Sequence, residues 1–165
     1  MSRIPPWLRT CTAQYVTAQL LSGDGLTTET IRYANIVSFV CLKAMTLEGR
    51  LERKDPHDLV YCIENGPGGI EAAAAAFREQ LEGKYQEAVN KCLAILKKHF
   101  LTNERIEGYL MDGPTMVANF ELGEEPETRE ARILRQRNVS EIVEAFLNLV
   151  QPPTETVAAF EETPQ

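Results

Sequence analysis

Between residues 43 and 61 the chain reads Lys-Ala-Met-Thr-Leu-Glu-Gly-Arg-Leu-Glu-Arg-Lys-Asp-Pro-His-Asp-Leu-Val-Tyr, and its chemistry-bearing side chains gather there. Lys43 and Arg50 stand seven residues apart, two helical turns and nearly one face if the segment is helical. Asp55 and Asp58 are three apart, which makes them neighbours on a second helix. A lysine and an aspartate brought together this way can neutralise a phosphate and orient a hydroxyl or a metal. Arg50 and Lys54 would add positive charge beside them, and Asp58 a second carboxylate. The same residues can equally tie two helices together and satisfy a helix N-terminus, a role worth little energy at a surface.

These residues need two helices to position them. Residues 34–50 place Ile36, Val37, Val40, Cys41, Ala44, Met45 and Leu47 at three- and four-residue steps, which predicts an amphipathic helix with a wide buried face. Met45 and Leu42 would anchor it to the side of Lys43. Asp55 is placed to cap the next helix, with Pro56 at its first position. That helix carries Leu59, Val60, Cys62 and Ile63 and stops at Asn65-Gly-Pro-Gly-Gly69.

Upstream, residues 14–21 and 27–33 read as strands around Ser22-Gly-Asp-Gly25, a strong turn signal, so a β-hairpin opens the domain. Two strands alone are barely stable in water, so the hairpin is expected to pack on helices or join a larger sheet. Downstream, residues 70–81 (with five alanines), 84–100 and 129–150 are helical by propensity and periodicity. The last should bury Ile133, Leu134, Val139, Ile142, Val143, Phe146 and Leu147. Residues 101–128 are less regular: Met111-Asp-Gly-Pro114 breaks the pattern, 115–120 is a helical turn or a short strand, and 121–130 reads as a solvated acidic connection or the start of the last helix. Residues 1–10, with Trp7 beside Pro5 and Pro6, form an irregular lead-in, and 151–165 a mobile polar tail. The fold class is α+β, mostly α: an N-terminal β-hairpin followed by a four- to five-helix bundle, one domain over residues 1–150.

Composition narrows the function classes. With 165 residues, 44% of them hydrophobic, the chain can bury one real core. Net charge is −7 and unevenly spread: residues 1–58 carry seven Lys/Arg against six Asp/Glu, and residues 59–165 carry ten against eighteen. So acidic a second half disfavours broad nucleic-acid binding. The four cysteines form no Cys-x-x-Cys pair, and His57 and His99 are far apart, which argues for reduced thiols and against a Cys/His metal site. Neither Gly23-x-Gly25 nor the glycines at 66–69 have phosphate-loop spacing; they are turns. Lys97-Lys98-His99 closes a helix, where cations favour the macrodipole. No secretory leader pattern and no apolar run of membrane-spanning length is present, so the expectation is a cytoplasmic protein without membrane contact.

The pattern Lys43-x6-Arg50-x4-Asp55-x2-Asp58-Leu-x-Tyr61, followed by Pro67-Gly-Gly69 and an alanine-rich helix, resembles the C-terminal half of the nucleotidyltransferase-type toxins of abortive-infection systems. The resemblance spans roughly residues 14–150 and implies a polymerase-β-like nucleotidyltransferase ancestry. It implies that Lys43 and Asp55 are the catalytic-site residues facing the nucleotide, with Arg50, Lys54 and Asp58 as nucleotide-binding support. The family's other half supplies a Gly-Ser turn and an Asp-x-Asp pair that binds two metals, because phosphoryl transfer relies on metal clamping. This chain contains neither sequence, and His57 stands where the family has tyrosine. Magnesium with a nucleoside triphosphate is therefore expected only if a second protein chain supplies the metal-binding carboxylates. The resulting expectation is a nucleotide-binding protein or part of a split or degenerate transferase, inactive by itself, in which Lys43→Ala weakens nucleotide binding with little loss of stability. The alternative is a non-catalytic interaction protein, antitoxin-like or an accessory partner.

Overall fold

The computed structural model describes residues 11–21, 23, 25–49 and 52–152. The lead-in with Trp7, the residues Arg50 and Leu51, and the tail from 153 onward lie outside the described residues. Two strands, β1 (Cys11–Gln19) and β2 (Leu26–Ala34), form an antiparallel hairpin. Among the described residues six helices follow: α1 (Ile36–Gly49), α2 (Lys54–Asn65), α3 (Gly69–Leu81), α4 (Gln86–Phe100), α5 (Asp112–Leu122) and α6 (Arg129–Val150). Short 3-10 turns at Gly108–Leu110 and Pro126–Thr128 lead into α5 and α6. The architecture is thus mostly helical α+β, as the sequence implies.

The helices form where the apolar periodicity places them. Asn35 starts α1 by accepting the backbone N–H of Ser38 on its side-chain oxygen at 2.9 Å, satisfying one orphan donor of the first turn. Val37, Val40, Cys41, Ala44 and Leu47 then face the core, with Ile36 and Met45 packed at its margin, whereas Leu42 points to solvent. Ala73 and Ala74 of the alanine run are fully buried and let α3 approach its neighbours closely. Phe77 meets Phe146 of α6 edge to face, ring centroids 5.1 Å apart. On α6, Val139, Val143, Phe146, Leu147 and Val150 are buried, and Gln136 takes the next inward position instead of Leu134. Leu134 is exposed, being five residues and about 140° from Val139.

Helix α5 resolves the stretch that the sequence leaves open between helical turn and strand. Asp112-Gly-Pro114 does not interrupt structure there but starts it: Pro114 lies in the first turn, where its missing N–H costs nothing, and Asp112 complements the helix dipole. Its approach to α4 depends on Gly113, where an added Cβ would lie 2.6 Å from ring carbons of the fully buried Phe100.

Among the described residues the hairpin takes neither of its two expected fates. It pairs one-to-one from Cys11 opposite Ala34 to Gln19 opposite Leu26, but it does not pack on the helices. Only its base touches α1, and Tyr15 and Leu26 are 78% and 75% exposed. Among the described residues no third strand joins it.

Candidate functional site

Helices α1 and α2 pack side by side and bring Lys43, Asp55 and Asp58 together. The Lys43 Nζ donates to Asp55 Oδ1 at 2.8 Å and to Asp58 Oδ2 at 2.7 Å. Asp55 does not cap α2. The helix begins at Lys54, its N-cap position is Arg53 with no side-chain bond, and Asp55 has turned inward to a site where it is 2% exposed. Pairing with Lys43 outweighs capping because a buried carboxylate needs a counter-charge, whereas an exposed helix N-terminus can use water.

Burial works against the Lys43 ammonium, but the hydrogen bonds to Asp55 and Asp58 outweigh it and hold its pKa above the ordinary lysine value. Asp58 shows the mirror effect. Its burial is outweighed by hydrogen bonds from Lys43 and His57 and by the charge of Lys54, so its carboxyl titrates below the usual range. Lys54 itself is exposed on the first turn of α2 and acts on Asp58 only through its charge. The three bonded groups, one cation and two carboxylates, carry a net −1. Arg50 lies outside the described residues and Lys54 acts only through its charge, so of the five sequence-derived site residues the structure brings Lys43, Asp55 and Asp58 together.

Above this trio lies an apolar cleft of about 420 Å³. Tyr33 and Ala34 from the base of β2, Ile36 and Phe39 from α1, and Tyr61, Cys62 and Pro67 from the end of α2 line it. Two residues join cleft to trio. The Phe39 ring centroid lies 5.6 Å from Lys43 Nζ, within cation–π range. The Cys62 thiol is pushed above its ordinary pKa by burial and by the nearby Asp58 carboxylate.

A polar network next to the trio draws in further residues. His57 Nδ1 sits 3.4 Å from Asp58 Oδ1, its ring centroid 4.5 Å from that of Phe120, and its Nε2 3.7 Å from Glu121 Oε1. Arg135 of α6 donates to Glu64 at 2.9 and 3.2 Å and to Glu121 at 2.7 and 3.0 Å, which joins α6, α2 and α5. This pairing holds its guanidinium pKa above the ordinary value despite burial. Glu121 is therefore an ion-pair partner on α5, not part of a solvated connection; the signal that could have found it is a carboxylate one residue after Phe120, within helical reach of Val117. Arg53 reaches Glu124 at 2.6 Å.

Among the described residues no group of three or more His, Cys, Asp or Glu side chains is arranged to hold a metal ion. No described helix is long and apolar enough to cross a membrane. Comparisons with protein families, with curated proteins and with solved structures found no match.

Proposed function

We propose that this chain is a nucleotidyltransferase-like protein of the toxin–antitoxin, abortive-infection type, acting in the cytoplasm and binding a nucleotide as part of a split or degenerate transferase. The observation that supports it most is the Lys43–Asp55–Asp58 set placed beside an aromatic cleft. In this reading the base stacks against Tyr33, Phe39 or Tyr61, and a phosphate takes the place of Asp58 on Lys43. Asp58 is the exchangeable partner because its side chain is 22% exposed, against 3% for Asp55, so it loses least on returning to water. Asp55 then serves as the fixed counter-charge that orients Lys43, and Lys54 and Arg50 add positive potential. Transfer chemistry needs metal-binding carboxylates in addition, and this chain has no ligand set for them among the described residues; a second chain carrying Gly-Ser and Asp-x-Asp would have to supply it.

The test is calorimetric titration of the chain with the four nucleoside triphosphates in magnesium. Lys54→Ala and Tyr61→Ala alter exposed side chains, keep the fold, and should each weaken binding severalfold. No heat with any nucleotide sinks the reading. The second reading, a non-catalytic interaction protein, is favoured by the uncovered hairpin. It predicts a stoichiometric protein complex whose affinity is unchanged by Lys54→Ala.

A further inference from the structure

The β1–β2 hairpin is long, regular and uncovered, and its chemistry differs between its two edges. Natural sheet edges are blunted by lysine, proline, a bulge or a covering helix. Among the described residues β1 has none of these: it reads Cys-Thr-Ala-Gln-Tyr-Val-Thr-Ala-Gln, with no charge, no proline and an unbroken one-to-one register. β2 carries Glu29 and Arg32.

The register also fixes which groups of β1 point outward. The Leu20 N–H donates to the Gly25 C=O at 3.0 Å, which makes this a hydrogen-bonded pair at the head of the ladder. Antiparallel pairs alternate, so Ala18, Val16, Gln14 and Thr12 bond to β2, and Gln19, Thr17, Tyr15, Ala13 and Cys11 turn their N–H and C=O groups to the open edge. Thr17 and Thr28 agree with this: their hydroxyls meet at 2.8 Å, as the closer, non-hydrogen-bonded pairing allows. Tyr15 is the midpoint of the nine-residue strand and one of the outward-facing residues.

We propose that two copies of this chain pair β1 against β1 about a two-fold axis through Tyr15, forming a four-stranded sheet in the order β2-β1-β1-β2. The midpoint being outward-facing is what lets the whole strand overlap in register. Tyr15 exchanges two hydrogen bonds with its counterpart, Ala13 pairs with Thr17, and Cys11 with Gln19. No position sets like charge against like. Apolar side chains stand on both hairpin faces, Tyr15 and Leu26 on one and Val16, Ile31 and Tyr33 on the other, which suits extension of a sheet better than a helix laid on one side. The proposal does not depend on nucleotide binding.

Sedimentation equilibrium of the full chain over a range of concentrations tests it. One strand a side is at the small end of specific interfaces, so a dissociation constant on the order of 10 µM is expected. Tyr15→Pro removes an outward N–H without touching the bonds to β2, and Tyr15→Lys sets two cations face to face at the axis. Each should weaken the dimer at least about tenfold and leave the melting of the helical body unchanged. Tyr15→Cys in a Cys11→Ser background should form an oxidised dimer, because hydrogen-bonded pairs hold their Cα atoms about 5.5 Å apart. A chain that stays monomeric well above that concentration, as it would if the edge belonged to a different protein's sheet, overturns the proposal. So does a dimer indifferent to both Tyr15→Pro and Tyr15→Lys.

Discussion

Replacing Lys43 by methionine keeps most of the aliphatic stem and removes the ammonium that Asp55 and Asp58 share. Asp58 can recover hydration, but Asp55 is 2% exposed and its buried carboxylate loses the Lys43 ammonium. Breaking a buried pair by deleting one partner costs roughly 3–5 kcal/mol. Lys43 keeps 16% side-chain exposure, so water can partly enter the vacated space and the lower end, about 3 kcal/mol, applies. For a chain of this size that is a fall of about 6–12 °C in melting temperature. A loss of this size would set aside the expectation of little stability loss at Lys43, which rests on a sequence that does not show Asp55 to be buried. Urea denaturation of Lys43→Met, Asp55→Asn and the double variant measures the effect. The double variant no longer buries a charge and should recover about 1–2 kcal/mol relative to the sum of the singles. The direction of both titrations adds a second readout. Asp58, whose folded pKa is lowered, contributes stability present above its ordinary 3.8 and lost as pH falls through the folded value. Lys43, whose folded pKa is raised, contributes stability present below 10.5 and lost as pH rises through the folded value. The gap between wild type and Lys43→Met should therefore be widest at intermediate pH and close at both extremes. A loss under about 0.5 kcal/mol, or strict additivity in the cycle, refutes the reasoning.

Two further outcomes follow from the packing. Gly113→Ala drives a Cβ into the Phe100 ring, and the overpacking should cost about 1–3 kcal/mol in urea denaturation, with the smaller loss if α5 can shift outward. His99 is buried with Nε2 unpartnered; burial and then the Lys98 charge lower its pKa, more than Asp112 and Glu48 restore it. The unfolded chain therefore takes up the proton first, so the His99 contribution is full above its ordinary 6.5 and falls as pH drops to the folded value. His99→Phe should flatten that part of the stability–pH curve and raise stability at pH 5.5 relative to wild type, measured by urea titration at several pH values.

The long helices were legible because their apolar residues recur at helical spacing and their ends carry strong breakers such as Asn65-Gly-Pro-Gly-Gly69. α5 was not, for a physical reason: Gly113 and Pro114 are breakers inside a helix but are tolerated in its first turn, and only tertiary packing on Phe100 decides which position they occupy. Leu134 illustrates the opposite error. A leucine beside Ile133 reads as core, but Val139, Val143, Phe146 and Val150 set the phase of α6 and leave it facing solvent. The hairpin strands could be read from alternation and the turn, yet alternation says nothing about whether a face is covered.

The candidate site divides along the same line. Lys43, Asp55 and Asp58 could be paired from sequence because they sit on adjacent helices joined by a short connection, so chain continuity brings them together. Glu121 and Arg135 could not, since they lie more than fifty residues beyond the end of α2 and only the packing of α5 and α6 on α2 delivers them. Their position changes the meaning of the aspartates. Arg135 is one cation for the two carboxylates of Glu64 and Glu121, so that set keeps a net −1 beside the net −1 of Lys43, Asp55 and Asp58. Asp55 is buried, whereas the Asp58 side chain keeps 22% exposure. Under the proposed reading the ligand displaces Asp58 and gains from the aromatic cleft beside it; bare phosphate, with no apolar part, would gain only the first.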